Sequence, residues 1–154
     1  MIRPEGESLR SAEWEYGPQQ WFMSNLQLTK VSSSSNLYDK IQATVAYQNF
    51  KESRRDRDFQ SALREVREEN VDAISFNVDL EKKINPRTTI FYGLEYLYNK
   101  VGSQGREENI DTNTSIPNVT RYPNGSTWQS FAGYTSLKYK PSSKFVFQSG
   151  LRFN

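Results

Sequence analysis

Residues 71–100 read VDAISFNVDLEKKINPRTTIFYGLEYLYNK, and they predict two β-strands joined by a tight turn. Every second residue from Ile74 onward is apolar, and a second row of apolar and aromatic residues starts at Ile90. This period of two gives a sheet one apolar and one polar face. Pro86, between the rows, cannot donate a hydrogen bond to a neighbouring strand. Each strand is about as long as the roughly 9–11 residues that cross a bilayer at a tilt, so the hairpin predicts part of a transmembrane β-barrel.

The composition of the 154-residue chain agrees with a barrel. Only 35% of the residues are hydrophobic, and the mean hydropathy is −0.82. A barrel with a wet lumen needs apolar residues only at alternate strand positions, so low hydropathy does not argue against a membrane protein of this kind. The sequence contains no run of the roughly 20 apolar residues that a transmembrane helix requires.

Charge and residue types exclude several function classes. The net charge is +2 with both signs interspersed, which makes no case for nucleic-acid binding. Cysteine and histidine are both absent, so thiolate chemistry and the commonest general base and metal ligand are unavailable. The acidic group around Glu107, Glu108 and Asp111 matches no EF-hand spacing. We therefore predict neither an enzyme nor a cofactor.

The same alternation predicts about six long strands in an all-β, antiparallel up-and-down meander, an open sheet that forms an incomplete part of the barrel. Residues 1–19 are read as a polar lead-in of loop or strand, and residues 20–154 as the barrel segment. The predicted strands cover about 20–31, 38–50, 70–81, 88–100, 128–139 and 144–153. Long polar connections at about 51–69 and 101–127 alternate with short turns, as in outer-membrane barrels with long outer loops.

Two sets of residues are assigned to the membrane. The predicted lipid-facing residues are Ile41, Val45, Tyr47, Ile74, Phe76, Val78, Ile90, Tyr92 and Leu94. Aromatic residues near strand ends are predicted to form two interface girdles. They are Trp21, Phe50, Tyr96, Tyr98 and Trp128 at one end, and Tyr38 and Tyr139 at the other.

Several stretches resemble the barrel of TonB-dependent outer-membrane receptors of the Bacteroidetes type. They include GPQQWFMSNLQL (17–28), YDKIQATVAYQNFKESRRDRDF (38–59), REENVDAISFNVDLEKK (67–83), FYGLEYLYNKVGS (91–103) and RYPNGSTWQSFAGYTSLKYK (121–140). The resemblance implies a barrel of roughly 22 strands with a plugged lumen. It also implies a place in the bacterial outer membrane, in contact with its lipid, and import of a scarce ligand such as a ferric siderophore, cobalamin or a glycan.

The sequence shows no plug domain and no signal peptide, so we expect it to be a piece of a longer receptor. Contact with the TonB system would then run through a plug segment outside this chain. The resemblance favours an extended hairpin over 52–69, with its tip near 60–63. The alternative is an amphipathic helix, because Phe59, Leu63 and Val66 recur at helical spacing.

Arg121 and Tyr122, near the base of the second long connection, are candidate ligand contacts, although a girdle or loop role is the simpler interpretation. The competing function class is a soluble β-sandwich that binds a ligand or carbohydrate. Such a module would bury its aromatic residues between two sheets.

Overall fold

The computed structural model describes residues 10–154, so the first part of the predicted lead-in, residues 1–9, lies outside the described residues. Residues 10–154 form one eight-stranded antiparallel sheet. The strands are β1 (Ser11–Tyr16), β2 (Gln20–Val31), β3 (Lys40–Asp58), β4 (Leu63–Asn85), β5 (Thr88–Asn109), β6 (Thr114–Pro117), β7 (Thr127–Ser142) and β8 (Phe145–Phe153). The prediction of an all-β antiparallel meander in an open sheet is confirmed.

The number of strands is eight rather than about six, because two positions in the sheet are each filled by two strands. The main order is β1-β3-β4-β5-β7-β8; β2 also pairs with β3, and β6 also pairs with β5. Gly17, Pro18 and Gln19 separate β1 from β2. Pro18 has no N–H to continue the ladder of hydrogen bonds. The place beside β3 in the sheet is therefore filled by two short strands instead of one long strand.

The long connections expected at 51–69 and 101–127 are largely strand. β3 continues to Asp58 and β4 begins at Leu63, so only residues 59–62 remain as the tip of a hairpin. The helical alternative for 52–69 is therefore wrong. Similarly, β5 continues to Asn109. These extensions lack the apolar alternation that reveals a strand in the sequence, because cross-strand ion pairs replace apolar contacts there.

The short connections follow turn chemistry. Pro86 and Arg87 alone connect β4 to β5, and the N–H of Arg87 donates a 2.9 Å hydrogen bond to Asn85 Oδ1. Such an asparagine-to-backbone bond is a common way to stabilise a turn. Two residues, Ser143 and Lys144, likewise connect β7 to β8. Tight turns of this kind keep consecutive strands adjacent in the sheet.

The chain divides into two compact units. The described part of unit 1 comprises residues 10–22, Gln48–Asp72 and Lys100–Thr127, and unit 2 comprises Met23–Tyr47, Ala73–Asn99 and Trp128–Asn154. Among residues 10–154, the buried hydrophobic side chains are Ala46, Val66 and Ala132. A soluble domain of this length ordinarily encloses a much larger apolar core, so this sheet is not stabilised by a core of its own.

Candidate ligand site

One face of unit 2 is apolar and open. Five of the nine predicted lipid-facing residues have exposed side chains: Val45, Tyr47, Ile74, Phe76 and Leu94. The other four, Ile41, Val78, Ile90 and Tyr92, are half-buried. The hydroxyl of Tyr92 donates a 2.6 Å hydrogen bond to the carbonyl of Leu37. We refer to this surface as the apolar face, and its contact with lipid stays a prediction.

Four of the predicted girdle residues lie at or near strand ends, whereas Phe50 lies inside β3 and Tyr96 and Tyr98 lie inside β5 because those strands are longer than predicted. Tyr38 lies in the connection between β2 and β3, and Tyr139 lies near the end of β7. Trp21 donates a 3.3 Å hydrogen bond from Nε1 to Gln48 Oε1, and Tyr96 donates one of the same length to Gln129 Oε1. The remaining members are Tyr98 on β5, Trp128 on β7 and Phe50 on β3. The girdle role also stays a prediction, and Phe50 has a second environment, described below.

The polar residues of unit 2 are connected to one another across strands. Glu95 on β5 accepts a 3.1 Å hydrogen bond from Asn77 Nδ2 on β4 and a 2.6 Å bond from Arg152 Nη2 on β8. Tyr134 on β7 donates a 2.5 Å bond to Asp79 Oδ1 on β4. The carboxylate of Glu95 is thus held in a structural network, and no unpaired acid remains at this position.

Unit 1 contains a chain of ion pairs that runs over four strands. Glu13 on β1 binds Arg57 Nε at 3.1 Å and Arg64 Nε at 2.6 Å. Arg64 continues to Glu108 Oε2 at 3.5 Å. Arg106 Nε then binds Glu108 Oε1 at 2.8 Å, and Arg106 Nη1 binds Glu68 Oε2 at 2.8 Å. We call these six residues the charge ladder.

The ladder changes the acidity of its carboxyl groups. The hydrogen bond from Arg64, helped by Arg57, lowers the pKa of Glu13 to about 2 against the effect of partial burial. The hydrogen bond from Arg106 likewise lowers the pKa of Glu108. Opposite charges that also donate hydrogen bonds favour the ionised form. The arginines of 52–69 that take part in the ladder are thus already paired within the protein.

A cavity of about 380 Å³ lies in unit 1 beside the ladder strands. Its lining combines apolar and aromatic surface with charged groups: Phe50, Val71, Val101 and Tyr122, together with Glu52, Arg54, Glu69 and Arg121. Arg121 Nη1 binds Glu52 Oε1 at 2.7 Å, and its guanidinium carbon lies 5.2 Å from the centre of the Tyr122 ring. An apolar cavity with a few polar groups is the usual form of a small-molecule site.

Glu69 is the unusual residue of this cavity. Its side chain is 4% exposed, and neither carboxyl oxygen has a hydrogen-bond partner. Burial, followed by the nearby charge of Glu52, raises the pKa of Glu69 although three arginines oppose the shift. A buried acid without donors is costly. Functional sites are where such costs are often tolerated.

Arg121 and Tyr122, the two neighbouring loop residues suggested by the sequence, both line this cavity, and Phe50 from the predicted girdle lines it too. The sequence did not single out Glu69, Glu52 or Arg54. All three lie in the charged segment 52–69. In such a segment every charged side chain is expected to lie in solvent, so the sequence does not distinguish these three from their neighbours.

Comparison with known proteins identifies the class. Residues 23–154 match the model of the outer membrane protein beta-barrel family. The chain belongs to this outer-membrane β-barrel family. Its location is accordingly the outer membrane, as predicted.

Among solved structures, this outer-membrane barrel chain is similar to the "Copper transporter OprC", with a TM-score of 0.71 at 12% sequence identity. The match covers 93% of this chain and 23% of the OprC chain, so this chain spans about a quarter of that protein's length. At this identity the similarity shows the fold alone. No curated protein matches the sequence.

Two further observations concern the described part of the chain. Residues 10–154 contain no helix that is both long and apolar enough to span a membrane. Within the same residues, no group of three or more acidic, histidine or cysteine side chains is arranged to hold a metal ion.

Proposed function

We propose that this chain forms part of the barrel wall and part of the outer ligand-binding surface of a TonB-dependent receptor. Such a receptor imports a scarce ligand across the outer membrane. The ligand classes that the sequence resemblance suggests are ferric siderophores, cobalamin and glycans. The observation that carries the proposal is the cavity of unit 1. It is lined by residues of β3, β4 and β5 at or just beyond the ends of their predicted bilayer-spanning stretches, together with Arg121 and Tyr122 of the connection between β6 and β7.

The fold supports the proposal in two ways. The family match accounts for residues 23–154, and the OprC barrel gives the same strand arrangement at a TM-score of 0.71. In addition, unit 2 has the exposed apolar face that lipid contact requires, and unit 1 has paired charges and a cavity that suit ligand binding. The TonB connection and the receptor type belong to the proposal.

The competing two-sheet sandwich is not supported. The strands of residues 10–154 form a single sheet. Large aromatic residues such as Trp21 and Phe147 stay exposed, at 66% and 62%. A sandwich buries such residues between its two sheets.

The orientation in the membrane can be tested with epitope tags on the intact bacterium. A tag inserted at residues 59–62, the tip of the β3–β4 hairpin, is expected to bind antibody added outside the cell. A tag inserted between Pro86 and Arg87, in the β4–β5 turn, is expected to bind only after the outer membrane is opened. The reverse pattern would contradict the assignment of outer and inner ends.

Transport is tested by deleting the gene and offering three probes: radiolabelled iron bound to a siderophore, labelled cobalamin and a fluorescent oligosaccharide. We expect the deletion strain to lose uptake of one probe. Collapse of the inner-membrane proton gradient should abolish the same uptake in the parent strain. Uptake of all three probes at parental rates would refute the import function.

A further inference from the structure

Two residues that line the cavity of unit 1 carry unmet hydrogen-bonding atoms, a donor on one and acceptors on the other, and these atoms are themselves buried. Glu69 has two free acceptor oxygens, and the Nε–H of Arg54 is a buried donor without an acceptor. Glu52 and Arg121, by contrast, bind each other at 2.7 Å. Each unmet buried group costs free energy that a suitable ligand recovers on binding.

These groups restrict the chemistry of the ligand. A hydroxyl group can donate to a carboxylate and accept from a guanidinium at the same time, and neighbouring hydroxyls can satisfy both Glu69 oxygens. The four charged side chains of the cavity, Glu52, Glu69, Arg54 and Arg121, sum to zero when all are ionised. The site therefore offers little net attraction to an anion or a cation.

The remaining lining suits the carbon skeleton of such a ligand. Tyr122 is 45% exposed and Phe50 is 37% exposed, so both rings present accessible surface. Val71 and Val101 add apolar wall. The volume of about 380 Å³ falls at the lower end of the roughly 300–1,000 Å³ of small-molecule sites. A compact ring with one apolar face and several hydroxyls meets both requirements.

We propose that the cavity binds a neutral polyhydroxylated ring of the sugar type, with Glu69 accepting its hydroxyl groups and Tyr122 packing on its apolar face. Arg54 donates to a ligand oxygen. Because the Glu69 oxygens and Arg54 Nε are buried, this binding mode requires both side chains to rotate toward the ligand. This inference rests on the proposed function, and it selects one of the three ligand classes named there.

The test is a titration of the full chain, folded in detergent micelles, followed by NMR saturation transfer. The sugar probes are maltose, cellobiose and mannobiose. Glycylglycine, putrescine and inorganic phosphate serve as amide, cationic and anionic probes. We expect at least one disaccharide to bind, and Glu69→Gln to weaken its binding about tenfold, the effect of losing a charged acceptor. Tyr122→Ala should weaken the same binding.

Glu107→Gln is the matched control. Glu107 lies on β5 opposite Ile116 of β6 and does not line this cavity, so its substitution should leave binding unchanged. Glu69→Gln removes a buried acid without a partner, so we expect this variant to fold. The ordered spectrum of the micelle-bound chain checks this directly.

Three results would overturn the inference: no disaccharide binds, disaccharide binding is unaffected by Glu69→Gln, or putrescine or phosphate binds in a manner that depends on Glu69. The uptake experiment separates this failure from failure of the proposed function. Loss of iron or cobalamin uptake in the deletion strain, with no sugar binding, defeats only the sugar assignment, whereas unchanged uptake of all three probes defeats the proposed function itself.

Discussion

The hydroxyl of Tyr134 on β7 passes over β5 and donates a 2.5 Å hydrogen bond to Asp79 Oδ1 on β4. The crossing point is Gly93 on β5. A Cβ atom at this glycine would lie 2.7 Å from Tyr134 Cε1 and 2.4 Å from the carbonyl oxygen of Val78. The tyrosine ring thus occupies the space that a side chain at Gly93 would fill. The hydrogen bond from Tyr134 to Asp79 connects β7 to β4 across β5.

Gly93→Ala is expected to destabilise the chain by about 2–3 kcal/mol, because the new methyl group overpacks the site and displaces the Tyr134 hydroxyl from Asp79. Denaturant unfolding in detergent micelles measures the loss. Gly133→Ala on β7 is the matched control, since its nearest atom, Leu94 Cδ2, would be 3.5 Å away. Equal losses in the two variants would show that the crossing is unimportant.

Phe76→Arg is expected to cost about 2–4 kcal/mol if Phe76 lies near the bilayer midplane, because a cation on a lipid-facing surface must be removed from water. Asn77→Arg, at the next residue, should cost much less. Asn77 already contacts Glu95 Oε2, so the new cation would lie beside a carboxylate. Refolding equilibria in lipid vesicles compare the two variants. Similar costs would contradict the assignment of the apolar face to lipid.

Glu13→Gln is expected to loosen β1, because Glu13 is the acid that binds both Arg57 and Arg64. The pKa of Glu13 falls from 4.5 to about 2 in the folded chain. Its stabilising effect is therefore complete above pH 4.5 and is lost as the pH falls toward about 2. Hydrogen exchange of the β1 amides should show about 1–2 kcal/mol less protection at neutral pH.

In the same exchange experiment, the protection of the β1 amides should become similar in Glu13→Gln and in the unmodified chain at acidic pH, where Glu13 is protonated. A difference between them that stays constant down to pH values near 2 would mean that the ion pairs contribute nothing to holding β1.

Glu69→Gln is expected to stabilise the chain at neutral pH. The pKa of Glu69 is raised by burial, so the folded state binds its proton more tightly than the unfolded state does. The free energy of unfolding of the unmodified chain therefore decreases as the pH rises from 4.5 through the raised pKa, and then levels off. The glutamine variant lacks this decrease, and denaturant unfolding across that pH range measures the difference.

The strands that span unit 2 were predictable because their signal is local. The alternation around Phe76 and Leu94 is visible in the sequence, and the structure exposes both side chains on the apolar face. The strand extension from Lys51 to Asp58 was not predictable in this way. Its residues are stabilised by partners far along the chain, such as Glu13 for Arg57, and only the folded sheet brings those partners together.

The sequence suggested only part of the cavity lining, and the site itself stays a prediction. Tyr122 stood out because an aromatic ring near the base of a long polar connection can stack on a ring of a ligand, and Arg121 is its neighbour in the sequence. Glu69 did not stand out among the acidic residues of 65–69. Its burial depends on which residues of neighbouring strands surround it, and a single sequence does not contain that information.

The pairing of β1 with β3 also has a consequence for the order in which the sheet forms. β4 and β5 are joined by two residues, so their contacts are local and close quickly. β1 pairs instead with residues Arg54–Asp58, and β2 and a whole connection lie between the two partners in the chain. Closing that large loop costs more chain entropy. β1 therefore has no native partner until the chain as far as Asp58 is available, and it is expected to join the sheet late.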